Sequence, residues 1–301
     1  MKKWAYLFIA LGASLWGLIA IFVEALYTYG FTALEIVTLR VTVAAVLLLI
    51  IAAIKDVRLL KINWRDSSYF IGTGIFSIVF FNWCLFTAIK ETSIAVAAIL
   101  LYTAPAIVTI LSRFLFKEWF TVRKGIALLM TLFGCTFVIG VLPGGTSSTV
   151  SFYGVLAGLG SGLGYALYSI FGKYALKKYT SITVITYTFI FASVVLIPVT
   201  GLWKQSDVVL KSGVLMNSLG LGLISTVLAF MFYTVGLQYI ESSRASITAT
   251  VEPVVATLVG VILFKEQLTA WQIVGIALVL SAVIVVQENK KRVKTEHSLV
   301  Q

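Results

Sequence analysis

The chain is a succession of apolar runs, each close to the ~20 residues a helix needs to cross the hydrocarbon core of a bilayer. Ten can be delimited, over 5–27, 33–54, 69–89, 93–115, 123–141, 153–174, 182–202, 215–239, 244–264 and 269–286. The connections are short. The longer polar pieces are KDVRLLKINWRDS (55–67), the uncharged LPGGTSSTVS (142–151) and the tail after Val286, which leave no room for a soluble domain. In lipid each segment must satisfy its own backbone hydrogen bonds, so runs of this length fold as helices. The expected fold is therefore an all-α membrane protein of ten transmembrane helices. Composition agrees, because 60% hydrophobic residues, 12% charged residues and a mean hydropathy of +1.02 leave more apolar surface than a soluble chain of 301 residues can hide. The start, MKKWAYLFIALGAS, has the charge-then-apolar form of a signal peptide, but nine spans follow and it reads as the first helix.

Lys and Arg are retained in cytoplasmic loops, and their distribution orients the chain. With the N-terminus inside, 18 of the 23 Lys and Arg fall in inside segments and four outside, while Arg40 lies within a span. Both termini are expected in the cytoplasm, in a multi-pass protein of the cytoplasmic membrane, with the basic tail 287–301 lying on anionic headgroups. The net charge of +11 comes in short clusters that flank apolar runs and form no continuous basic face, so no nucleic-acid partner is read. Cys84 and Cys135 lie in apolar runs, no CxxC occurs, and the single His, His297, is in the tail. Neither a disulfide framework nor a metal site is readable, and no cofactor is implied.

A shift of 148 residues lays the second half on the first without a gap. AIVTILSRFLFKEWFT (106–121) falls on VVATLVGVILFKEQLT (254–269), Pro105 on Pro253, Gly12 on Gly160, Thr38 on Thr186 and Ala97 on Ala245. Each repeat holds five spans, an odd number, so the two insert with opposite orientation. The charges follow: the linker KEWFTVRK after the fourth span is strongly basic, whereas its mate KEQLTAWQ has kept a single Lys. Inverted repeats of this kind place a substrate site near the bilayer midplane, between broken helices.

The ten-span plan, TLRVTVAAVLLL in the second span, TAPAIVTILSRFLFKE in the fourth and VEPVVATLVGVILFKEQLT in the ninth together resemble the EamA-domain transporters of the drug/metabolite transporter superfamily. The resemblance runs from about Tyr6 to Val286. It implies an EamA repeat over 1–142, a second over 152–286, and a central cavity between them. It also implies transport of metabolites, commonly export of amino acids or related small molecules. That family usually carries a Gly before the Glu of each FKE linker, where this chain has Lys117 and Lys265; the position reads as a turn, and the departure is expected to cost little.

Glu252 is the only charged side chain between Ala245 and Phe264. It stands roughly 12 Å along its span from Arg244 at 1.5 Å per residue, near the midplane. A carboxylate there must face a cavity, be paired or be protonated. It either bridges two helices for packing or serves substrate or a coupling proton. Pro253 and Pro105 each free a helix carbonyl that protein or water must satisfy, which favours interior positions for both kinks, expected to face each other across the cavity. Arg40, about seven residues into its span, is expected to pair with Glu24 or Glu35 and fasten the first hairpin, with direct substrate contact as the alternative. Trp16, Asn82, Trp83, Tyr102, Tyr165, Tyr168 and Tyr233, with Thr250 beside Glu252, are candidates for an aromatic cavity that holds an amphipathic solute. The competing reading of the aromatic residues is packing or interfacial anchoring. The run GLGSGLGYALYS (158–169) permits close helix approach, for packing or for sliding during gating.

Among function classes, an intramembrane enzyme would need a nucleophile with its base or a clustered metal site, and the spans hold no His and no acidic pair at ligand spacing. GxxxxGK[ST] does not occur, so ATP is not expected to drive the protein directly. A secondary transporter working by alternating access is the reading adopted, with a non-transporting scaffold or signalling protein as the alternative.

Overall fold

In the computed structural model, which describes residues 2–140, 151–265 and 267–287, the chain is helical and no strand occurs among the described residues. Most of the 142–151 connection and the basic tail beyond Gln287 lie outside those residues. Among the described residues, eight helices are long and apolar enough to cross a membrane: α1 (Trp4–Tyr27), α2 (Ala33–Lys55), α3 (Trp64–Glu91), α4 (Ile94–Leu115), α6 (Phe152–Ala175), α7 (Ser181–Thr200), α8 (Ser212–Tyr239) and α9 (Ser242–Leu263). The other two, α5 (Val122–Val138) and α10 (Ala270–Val286), have 17 residues each and pack against each other. That is the lower limit for spanning a hydrocarbon core.

The α2–α3, α4–α5, α6–α7 and α8–α9 connections gather at one end of the bundle, where Lys178 Nζ meets Asp66 at 2.7 Å and the Ser242 N–H donates to Glu118 at 2.7 Å. This is the basic end. At the opposite end Gln205 Nε2 donates to Glu35 at 2.6 Å and Gln272 Nε2 to the Val138 carbonyl at 3.3 Å. The first repeat thus starts at the basic end and the second starts at the opposite end, so the repeats are inverted.

Packing follows the same exchange. Helix α1 lies on α8 and α9, its mate α6 lies on α3 and α4, and the pairs α2–α7 and α5–α10 join the halves. Glycines set the closest of these approaches. A Cβ on Gly164 would stand 2.9 Å from the Phe81 backbone of α3, and one on Gly17 would stand 2.9 Å from the Glu252 carbonyl of α9. The small-residue run of α6 is therefore a packing surface in this structure.

The backbone irregularities also repeat at the 148-residue offset. Helix α4 breaks at Tyr102 and Thr103, between Ile94–Leu101 and Ala104–Leu115, and α9 breaks at Thr250, between Ser242–Ala249 and Val251–Phe264. Each break is sealed by a threonine hydroxyl, Thr103 donating to the Leu100 carbonyl and Thr250 to the Ile247 carbonyl, both at 2.6 Å. Pro105 and Pro253 sit in the first turn of the second half-helices, where proline is tolerated, so each break precedes its proline. Widened π-type turns occur over Gly72–Val79 in α3 and Leu223–Leu228 in α8. Lys117 and Lys265 both take left-handed backbone conformations, with φ of 55° and 58°. The expectation that replacing the family's glycine costs little is corrected here, since a residue with a Cβ costs about 1–2 kcal/mol in that conformation.

Candidate functional site

A cavity of about 330 Å³ lies between the two repeats. Its exposed side is toward the opposite end, where it is lined by Tyr27, which is 43% exposed, and by Ala33, as α1 ends and α2 begins. Its floor is Tyr168, Ser169 and Tyr233, on the parts of α6 and α8 nearest the basic end. Paired hydroxyls fix that floor: Tyr168 with Thr234 and Ser169 with Tyr233, both at 2.6 Å. Trp16 of α1 packs against the floor, with ring centroids 4.9 Å from Phe230 and 5.2 Å from Tyr233, and Tyr168 meets Phe230 at 5.0 Å. Such ring pairs contribute about 0.5–1.5 kcal/mol each beyond their buried area. Three helices are thereby locked below the cavity.

Glu252 lines the cavity. The break at Thr250 makes it the second residue of a half-helix, whose N-terminal N–H groups favour a carboxylate. It accepts a hydrogen bond from the Tyr165 hydroxyl at 3.1 Å, so it bridges α9 to α6 while still facing the cavity. Asn82, 4% exposed, also lines the cavity and donates from Nδ2 to the Ile78 carbonyl at 2.7 Å, against the widened turn of α3.

Of the residues singled out from sequence, the structure brings Trp16, Arg40, Asn82, Tyr165, Tyr168, Tyr233 and Glu252 to this one cavity. The rest lie elsewhere. Trp83 is 52% exposed on the outer face of α3, because neighbours in a helix point about 100° apart and Asn82 takes the inward direction. Tyr102 packs behind the cavity against Cys135, Val138, Val254 and Val279. Thr250 is buried and its hydroxyl is spent on its own helix. Pro105 and Pro253 are buried, yet neither is among the lining residues, so they do not face each other across the cavity.

The ion pair expected of Arg40 is also absent. Glu24 is exposed, and Glu35 is occupied at its own helix start by the Thr32 N–H (2.7 Å), the Thr32 hydroxyl (2.8 Å) and Gln205 (2.6 Å). The mouth of α2 is fastened by a capping box, and the first hairpin needs no guanidinium.

Other lining residues went unread in the sequence, although the repeat offset points to them. Gly17 is the mate of Tyr165, Ala20 of Tyr168, Leu85 of Tyr233 and Phe230 of Asn82, and all four line the cavity. At all four of these positions a large aromatic residue in one repeat is replaced by a smaller residue in the other.

Below the floor the basic end is shut by contacts between repeats. Glu118, in the linker after α4, accepts from the backbone N–H groups of Ser242 (2.7 Å) and Ser243 (3.2 Å) and from the Ser243 hydroxyl, at the start of α9. Lys124, 1% exposed, reaches the Trp119 carbonyl at 2.9 Å, Glu241 at 3.0 Å and Glu118 at 3.7 Å. Within the second repeat, Lys173 donates to the Leu237 carbonyl of α8 and to the Ile240 carbonyl just beyond it, both at 2.6 Å. Beside them Asp66 holds Lys178 and Tyr179, the latter at 2.8 Å, and the Thr183 hydroxyl donates to the Leu59 carbonyl at 2.9 Å. None of these latch residues was singled out in the sequence beyond the FKE motif.

The chain matches the EamA-like transporter family twice, over residues 3–140 and 152–287. An uncharacterized transporter of Archaeoglobus fulgidus is 29% identical over 295 residues, 96% of this chain and 100% of that protein. The uncharacterized transporter YwfM of Bacillus subtilis is 28% identical over 298 residues, 96% of this chain and 95% of that one. A solved crystal structure shares the fold, with a TM-score of 0.77 at 18% identity over 95% of this chain and 97% of its own. With both repeats matched and relatives aligned nearly end to end, the chain belongs to the EamA-like transporter family.

Proposed function

We propose that the protein carries a small amphipathic metabolite, an amino acid or a related solute, across the cytoplasmic membrane by alternating access, and that its physiological direction is export. The cavity is the binding site, the basic end faces the cytoplasm together with both termini, and the protein is not an enzyme. The observation that carries this reading is the asymmetry of the cavity, which is built by both repeats, open at one end and shut at the other by contacts that only cross-repeat docking can make. An inverted repeat supplies the second state by exchanging the two ends. A non-transporting scaffold would need neither the open cavity nor the latch.

Flux in proteoliposomes tests it. Uptake and efflux of a panel of labelled amino acids, with and without a pH gradient, should show saturable exchange that Ala20→Trp, a plug in the cavity, abolishes; no flux for any member overturns the reading. Glu252→Gln then defines the role of the carboxylate. Retained exchange with lost gradient-driven flux assigns it the coupling proton, loss of binding assigns it a substrate cation, and wild-type behaviour in both assays removes it from the site. Orientation is checked by Lys61→Cys, expected to react with an impermeant maleimide only from the cytoplasmic face.

A further inference from the structure

Arg40 is 8% exposed, lines the cavity, and makes no hydrogen bond or ion pair among the described residues; its Nε is buried without a partner. The counter-charge within its electrostatic reach is Glu252, which stands beyond ion-pair distance. A second buried donor of the same cavity, Trp16 Nε1, is likewise unmatched. A guanidinium has five N–H groups and keeps its charge, so its burial demands an anionic acceptor that this wall of the cavity does not supply. Glu252, for its part, has one donor on a carboxylate that can accept several.

The two charges also stand on different repeats. At the 148-residue offset the mate of Arg40 is Thr188 and the mate of Glu252 is Ala104, so each charge occurs once. We infer that Arg40 is an anion subsite of the cavity that takes the carboxylate of the solute, while Glu252 takes its cationic group, so that the site selects zwitterions by charge. The planar fork of Arg matches a carboxylate through two parallel hydrogen bonds, which Lys cannot reproduce. A solute held this way ties α2 of the first repeat to α9 of the second. The inference rests on the cavity being the transport site and adds what the solute must carry.

The test uses purified full-length protein and calorimetric binding of two matched sets, phenylalanine with phenethylamine and 3-phenylpropionate, and leucine with isoamylamine and 4-methylpentanoate. Within each set the apolar group is constant and one charge is removed. In the wild type a zwitterion should bind about 30-fold or more tightly than either of its singly charged analogues. Arg40→Gln should weaken the zwitterion by a similar factor and leave the amine unchanged, Glu252→Gln should do the same with the acid unchanged, and Arg40→Lys should recover only part of the loss. The wild-type comparison needs no variant to fold. A singly charged analogue that binds as well as its zwitterion, discrimination that survives Arg40→Gln, or no binding by either zwitterion overturns the inference. Flux of a neutral solute, blocked by Ala20→Trp and indifferent to Arg40→Gln, overturns it while the transport reading stands; absence of any flux overturns the transport reading itself.

Discussion

The starts of α4 and α9 are mates in the repeat, and they are held in different ways. At α4 the cap is local: the Ser93 hydroxyl accepts from the Val96 N–H at 3.2 Å, within one turn of one helix. At α9 the mate of Ser93 is Glu241, which is turned away to Lys124 and Arg244, and the free N–H groups of Ser242 and Ser243 go to Glu118 of the other repeat. The first cap survives any movement between the repeats. The second exists only while they touch. If the protein works by the alternating access proposed above, the inverted backbone supplies two equivalent gates, and a few side-chain differences decide which one is shut.

The comparison breaks most visibly at Glu118. Glu118→Ala leaves Lys124 buried without its full complement of charge and two helix N–H groups without acceptors, at a cost of about 3–5 kcal/mol. A shift of even 3 kcal/mol moves a conformational equilibrium on the order of 100-fold, so spin labels across the basic end should report a population that has separated there. An unchanged distance distribution would mean that Glu118 is not the latch. Ser93→Ala, the matched change at α4, should cost about 1 kcal/mol in thermal unfolding and leave the distances at both ends as they were.

Smaller effects sharpen the same picture. Lys117→Gly and Lys265→Gly each remove a left-handed Cβ at mated turns and should stabilise by up to about 1 kcal/mol, after the entropy of glycine is set against the relieved strain. Equal gains at both ends would show that the turns are symmetric even where the gates are not. Acid supplies the smallest effect. Partial burial acts to push the Glu241 carboxyl up, but hydrogen bonds from Arg244 and Lys124 outweigh it and hold the group below its ordinary value of 4.5. Glu241 therefore stabilises the latch above that pH and ceases to do so as the pH falls through the lowered value. The loss should stay under about 1 kcal/mol, because the group is partly exposed, and should disappear in Glu241→Gln.

Much of the fold was legible in the sequence because the bilayer imposes a length on each apolar run and the 148-residue offset is written in FKE and in two prolines. The helix breaks were legible through Pro105 and Pro253, although the chain breaks two or three residues earlier than the prolines. The site was legible where a side chain had one physically tolerable place, as for Glu252 and Asn82. It was not legible where the choice of face belonged to the neighbours: Trp83 is displaced by Asn82 beside it, and Tyr102 is drawn into the packing around Cys135. Arg40 was misjudged because two carboxylates stood near it in sequence, and only the structure shows Glu35 saturated and Glu24 turned to the surface. The latch was invisible for a related reason, since Glu118 and Ser242 are joined by docking of the repeats and by nothing in the local pattern.

The most direct measurement is cysteine accessibility in sealed, oriented vesicles, on a background without Cys84 and Cys135, with Ala20→Cys in the cavity and Ser246→Cys behind the latch. With the basic end shut and cytoplasmic, an impermeant maleimide should label Ala20→Cys from the external face alone and leave Ser246→Cys unlabelled. Adding Glu118→Gln should expose Ser246→Cys to the cytoplasmic face and slow labelling of Ala20→Cys. Labelling of Ala20→Cys from the cytoplasmic face in the latched protein, or identical patterns with and without Glu118, would contradict alternating access gated at this end.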